Sequence, residues 1–128
     1  MDINDTSQKM RILIVDDNAG VRRLLKRIVA ELGATVVECS DGSFALAAYT
    51  DHHPDIVLMD ARMPLQDGLT TIRQLLLHDP SAKVIMVTDY DDEELRMAAS
   101  EAGACGYVVK QNLTLLTDLI RSAAQKQY

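Results

Sequence analysis

Five short apolar runs punctuate the chain. Ile12–Val15, Ile56–Met59 and Val84–Val87 are apolar at every position, Tyr107–Val109 is shorter, and Ala34–Glu38 is less regular. Runs with no polar face predict parallel strands covered by helices on both sides. The segments between them have helical period. Val21, Leu24, Leu25, Ile28, Val29 and Leu32 recur at three- and four-residue spacing, while Arg22, Arg23, Lys26, Arg27 and Glu31 take the opposite face. Gly33 stands at the usual stop position. Ser43–Thr50 predicts a second, alanine-rich helix that ends before Pro54. Leu69, Ile72, Leu75 and Leu76 mark a third, ending before Pro80. Glu93–Ala102, followed by Gly103, predicts a fourth, and Leu115, Leu116, Leu119, Ile120 and Ala123 a fifth.

Strand and helix therefore alternate five times, which calls for an α/β, doubly wound fold with one parallel sheet and helices on both faces. No internal repeat, low-complexity tract or linker interrupts the pattern. Residues 1–10 read as a polar tail and residues 11–125 as one domain, with no second domain expected.

Composition narrows the function more than the fold. The 128 residues are 48% hydrophobic and 25% charged, ordinary for a soluble globular domain. No stretch approaches the roughly 20 apolar residues of a membrane span. The start, MDINDTSQKMR, has no apolar core of a secretory signal, so a cytoplasmic location is expected. A net charge of -6, 4% aromatic residues and no Trp argue against direct nucleic-acid binding. Cys39 and Cys105 match no metal-ligand spacing and are expected to be small core or surface residues.

In open parallel sheets, ligands bind at the carboxyl ends of the strands. The first run ends in Asp16 and Asp17, the third in Asp60, the fourth in Thr88 and the fifth in Lys110. Singly, each has an ordinary reading: an Asp after a strand caps a helix, a Thr fills a turn, a Lys is solvated. Together, three acids, a hydroxyl and an ammonium converge on one edge of the sheet. Crowded carboxylates repel unless a cation neutralises them, and hard oxygen donors favour Mg²⁺. A carboxylate beside such a cation is also a competent nucleophile toward phosphorus. The set points to phosphoryl transfer onto a carboxylate.

The stretches ILIVDDNAGVRRLL, IVLMDARMPLQDG, VIMVTDYDDEEL and GACGYVVK, in this order, resemble the receiver domain of two-component response regulators, the CheY-like superfamily, over about residues 10–125. The resemblance implies a flavodoxin-like fold of strand order 2-1-3-4-5. It implies that Asp60 is the phosphoacceptor, served by a sensor histidine kinase or a histidine phosphotransfer protein. Asp16, Asp17, Asp60 and the backbone carbonyl of Arg62 would hold Mg²⁺ or Mn²⁺. Lys110 would pair with the phosphate, and Thr88 and Tyr107 would form the switch pair. The output surface would be the fourth helix, fifth strand and fifth helix, acting on an unknown protein target as a monomer or a phosphorylation-dependent dimer. Such a receiver is no enzyme in the usual sense, since it catalyses only its own phosphorylation and dephosphorylation. Pro64, Asp67 and Gly68 are expected to shape the loop into the third helix.

Four positions depart from the family pattern. Asp89 follows the switch Thr where a small residue is usual, and is expected to crowd the phosphoryl pocket or repel an anionic donor. Arg62 and Tyr90 are expected to flank the access route. Gln111 replaces the proline common after the lysine, and a cis bond before a non-proline would cost ~3–4 kcal/mol. Three other readings compete. A phosphate-independent pseudo-receiver would keep the fold but not need the intact acids, Thr and Lys. A flavodoxin-type cofactor binder would need a phosphate-cradling loop where DDNAG stands. A metal-dependent phosphatase with an aspartyl nucleophile would carry D-x-D-x-T where DARMP stands.

Overall fold

The computed structural model describes residues 9–125; most of the expected tail (residues 1–8) lies outside them. Five strands, β1 (Arg11–Val15), β2 (Thr35–Cys39), β3 (Ile56–Met59), β4 (Val84–Thr88) and β5 (Gly106–Val109), alternate with five helices. The helices are α1 (Ala19–Val29), α2 (Ala45–His52), α3 (Gly68–His78), α4 (Glu93–Ala102) and α5 (Leu116–Gln125). All neighbouring strands are parallel, in the order β2-β1-β3-β4-β5, so the expected doubly wound, flavodoxin-like order is the one observed.

Strand alternation splits the interior into two cores. Ile12, Ile14, Ile56, Leu58, Ile85 and Val87 face α1 and α5, where Leu25, Val29, Leu116 and Ile120 meet them. Leu13, Val15, Val57, Met59, Val84 and Met86 point to the other face, against Ala45, Tyr49, Ile72, Leu75 and Ala99 of α2, α3 and α4. Strands β3 and β4 are buried at every position, which is why their sequence shows no alternation.

The helix starts follow their caps. Asn18, Asp67 and Asp92 each accept a backbone N–H from the first turn of α1, α3 and α4. Gly33 and Gly103 close their helical segments with φ of 70° and 112°, left-handed values that favour glycine. Two local expectations shift. The second helix begins at Ala45 rather than Ser43, because Asp41 caps a separate 3₁₀ turn, Gly42–Phe44. On α1, Leu24 is 43% exposed although it was expected inward. Arg22, placed by period on the solvent face, is instead half-buried. Among the described residues the peptide bonds are trans, Lys110–Gln111 included.

Candidate functional site

The strand ladder fixes the residues that follow it. The Asp16 N–H donates to the Cys39 carbonyl at 3.1 Å, Asp60 N–H to the Val15 carbonyl at 2.9 Å, and Lys110 N–H to the Thr88 carbonyl at 2.7 Å. These bonds extend the sheet by one residue at each position, so the three acids and Lys110 converge as expected. One oxygen from each of Asp16, Asp17 and Asp60 lies within 4.8 Å of the others. Lys110 Nζ sits 2.8 Å from Asp16 Oδ2 and 3.1 Å from Asp60 Oδ1. Asp16 and Asp60 are buried while Asp17 is exposed.

Asp16 is held on two further sides. Its Oδ1 accepts the Asn18 N–H at 2.9 Å, and its backbone carbonyl accepts Arg22 Nη1 at 2.7 Å. Arg22 Nε in turn donates to Glu38 on β2 at 2.9 Å. Behind Asp60, Gly68 packs so closely that a Cβ there would lie 2.1 Å from the Asp60 carbonyl oxygen. Only glycine fits, and Asp67 caps the helix just before it. Asp67 and Gly68 thus shape the loop as expected.

Burial has an electrostatic consequence. Desolvation, helped by the nearby Asp16 charge, pushes the Asp60 pKa up from 3.8 to about 6, although Lys110 opposes the shift. Burial pulls the Lys110 pKa down, but the carboxylates of Asp16 and Asp60 outweigh it and leave it raised. Asp16 Oδ2 is sealed from solvent, with the Lys110 ammonium 2.8 Å away as its partner. One ammonium faces two inner carboxylates, with a third at the mouth. An all-oxygen donor set, short of positive charge and carrying a buried lone-pair donor, fits a hard divalent cation.

A cavity of about 250 Å³ opens over this floor, lined by Asp16, Asp17, Asp60, Lys110, Arg62, Asp89 and Tyr90, with Asn18 and Val21. The Arg62 guanidinium lies 4.4 Å from the centroid of the Tyr90 ring. Asp89 Oδ2 reaches to 4.0 Å from Lys110 Nζ. All three expected access residues therefore border the cavity. Thr88 and Tyr107 are not among its lining residues. They meet instead through the backbone of Tyr90. Its N–H donates to Thr88 Oγ1 at 3.2 Å, and its carbonyl accepts the Tyr107 hydroxyl. Arg96 covers the other side of this pair, 4.3 Å from the Tyr107 ring centroid. Desolvation raises the Tyr107 pKa, with Arg96 opposing.

Two supports were not singled out from the sequence. Arg22 looked like one of four solvated cations on α1. Asp41 carried no expectation, yet it is 4% exposed and accepts three backbone N–H groups. The available signal was position: Asp41 follows the second strand at the same end of the sheet as the other acids.

A family model described as the response regulator receiver domain matches residues 12–121. The chain is 39% identical over 101 residues to the chemotaxis protein CheY of Bacillus subtilis, covering 78% of this chain and 84% of that one. It is also 39% identical over 118 residues to the regulatory protein AtoC of Escherichia coli, covering 91% of this chain but only 26% of AtoC. The chain thus spans about a quarter of that longer relative. Among solved structures it resembles CheY in the CheX–CheY–BeF₃–Mg²⁺ complex of Borrelia burgdorferi. The TM-score is 0.87 at 29% identity, over 95% of this chain and 94% of that one. Among the described residues, no helix is long and apolar enough to cross a membrane.

Proposed function

The chain belongs to the response regulator receiver family of two-component signalling, and on that premise we propose that Asp60 is its phosphoacceptor. The observation that carries the reading is the sharing of one ammonium, Lys110, by two buried carboxylates at the floor of an open cavity. A carboxylate oxygen of Asp60 attacks the phosphorus of a phosphohistidine on a kinase or phosphotransfer protein. The P–O bond forms as the P–N bond breaks, and the donor imidazole leaves. Asp16, Asp17, Asp60 and the Arg62 carbonyl would hold Mg²⁺, or Mn²⁺, which when bound neutralises the carboxylates and the transferred oxygens. Lys110 stays beside the new aspartyl phosphate as its fixed counter-charge. Thr88 gives up the Tyr90 amide and donates its hydroxyl to a phosphoryl oxygen.

The same step reaches the surface. Tyr90 is bonded to both Thr88 and Tyr107, so movement of Thr88 shifts the carbonyl that anchors the Tyr107 hydroxyl. Tyr107, Arg96, Ala99, Ser100 and Ala104 border a second cavity of about 150 Å³ between α4 and β5. We assign the output to this α4–β5–α5 face, where a protein target, or a second copy, reads the change. A phosphate-independent interaction domain is not favoured, because three acids and the lysine meet at one cavity floor. The chain would act as a signal carrier with only its own phosphorylation and hydrolysis as chemistry.

Incubation with a small phosphodonor tests this. The wild type should gain one acid-labile phosphoryl group only when Mg²⁺ is present, and Asp60→Asn should gain none. A wild type that stays unmodified where a known receiver is labelled would refute the assignment.

A further inference from the structure

Arg62 stands at the start of the loop joining β3 to α3, and that loop is pinned at two places. At its base the Gly68 N–H donates to the Ala61 carbonyl at 2.8 Å, with Gly68 packed against the Asp60 carbonyl. At its tip the grip comes from outside. Asp41 Oδ1 accepts the Leu65 N–H at 3.0 Å, and Oδ2 accepts the Gln66 N–H at 3.1 Å as well as the Ser43 N–H at 2.8 Å.

Capping the 3₁₀ turn after β2 needs only the bond from Ser43. The other two bonds reach across to a loop 24 and 25 residues away in sequence. Burying a carboxylate is costly unless it is hydrogen-bonded. Here three amides hold the Asp41 pKa below its ordinary value against the opposing effect of burial, which is the largest single influence. The two loops also touch directly, since a Cβ on Gly42 would come 2.5 Å from the Gln66 carbonyl oxygen. The Gln66 side chain continues the network inward to Thr71 Oγ1 at 2.9 Å and Gln74 Oε1 at 3.1 Å. None of these groups lines the cavity over Asp60.

We propose that Asp41 is a positioning residue for the phosphoryl site: by gripping the loop tip at Leu65 and Gln66 it sets the backbone at Arg62. The inference rests on the assignment of the Arg62 carbonyl and the three acids as the cation site. With the base fixed at Ala61 and the tip fixed at Leu65, the three intervening residues have little freedom. The backbone at Arg62 is then held in place, with its guanidinium over the Tyr90 ring, and needs no ordering at the moment a cation arrives. Removing Asp41 frees the tip and leaves Arg62 tethered from one side only.

Calorimetric titration with Mg²⁺ alone, without phosphodonor, separates this role from a merely structural one. Asp41→Ala should weaken Mg²⁺ binding by roughly ten-fold, and Asp41→Asn, which keeps one acceptor oxygen, should fall between it and the wild type. Tyr49→Phe is the control. It removes the 2.7 Å bond from Tyr49 to Asp79 at the end of α3, far from the loop tip, and should leave Mg²⁺ affinity unchanged. Amide hydrogen exchange at Leu65 and Gln66 should accelerate in both Asp41 variants and not in Tyr49→Phe. If Asp41→Ala does not fold, Asp41→Asn and its exchange rates carry the test. Mg²⁺ affinities of the Asp41 variants equal to that of Tyr49→Phe would overturn the proposal while leaving the cation site standing. Failure of the wild type to bind Mg²⁺ would overturn both.

Discussion

At the floor of the cavity, Asp16, Asp60 and Lys110 are enclosed, and Nζ lies within 3.1 Å of a carboxylate oxygen on each acid. At the rim, Arg62, Asp89 and Tyr90 are exposed, and their contacts are longer: 4.0 Å from Asp89 to Lys110 and 4.4 Å from Arg62 to the Tyr90 ring. Floor and rim use the same acids and bases in different dielectric surroundings. A buried charge without its partner carries a large desolvation penalty, so stability depends steeply on the charge balance of the floor. Exposed ion pairs are screened and contribute about 0–1 kcal/mol, so the rim can vary without endangering the fold. The chemistry common to receivers sits where a change of charge moves stability strongly, in either direction, and this chain's departures sit where it moves stability little.

The sharpest way to break that contrast is to remove the shared cation. Without divalent metal at pH 7.5, Lys110→Met leaves two inner carboxylates uncompensated and should lose about 3 kcal/mol in urea unfolding. A loss no larger than that of a rim variant would show that the floor is not special. The reverse substitution should stabilise. Asp60 has its pKa raised from 3.8 to about 6 in the fold. Its contribution to stability is therefore present below pH 3.8 and is lost as pH rises through 6. Asp60→Asn removes this dependence. At pH 7.5 the metal-free variant should exceed the wild type by about 2 kcal/mol, and its stability should be flatter between pH 4 and 6. Saturating Mg²⁺ should stabilise the wild type and have little effect on the variant.

Rim variants should speak through kinetics instead. Arg62→Ala uncovers the cavity and should shorten the half-life of phosphorylated Asp60 by roughly three-fold, with a stability change below about 1 kcal/mol. Asp89→Ala removes a charge that repels anionic donors. Phosphorylation by a small anionic donor should then accelerate about two- to three-fold, and added salt should shrink the gain. Half-lives and rates indistinguishable from the wild type would reduce the rim to passive surface. The smallest effect is expected for Tyr107→Phe, which loses one exposed hydrogen bond to the Tyr90 carbonyl and about 0.5 kcal/mol in urea unfolding.

The same contrast explains what could be read from the sequence. Asp16, Asp60, Thr88 and Lys110 were legible because strand ends converge by topology, and the apolar runs locate those ends within a residue. Arg62, Asp89 and Tyr90 were legible as departures but not as a geometry, because a cation stacked on a ring leaves no periodic trace. Arg22 was misread for a physical reason. A long side chain on the polar face can turn back under the helix terminus, as its bond to the Asp16 carbonyl shows. Asp41 escaped because Asp-Gly after a strand reads as a turn, and nothing local reveals that its oxygens serve amides 24 and 25 positions on. Helix period also placed Leu24 inward, where the wide α1 face leaves it at the margin of the core.

The chain has four tyrosines and no tryptophan. Two of the four, Tyr90 and Tyr107, form the hydrogen-bonded pair beside Thr88. Tyr49 is buried against α3, and Tyr128 lies outside the described residues. The protein therefore carries its own optical label. Its near-ultraviolet absorption and emission come chiefly from phenols, half of them in the hydrogen-bonded chain that runs from Thr88 to Tyr107. Cation binding, phosphorylation and decay can be followed as changes in that signal without attaching a dye, and Tyr90→Phe and Tyr107→Phe divide it between the two rings.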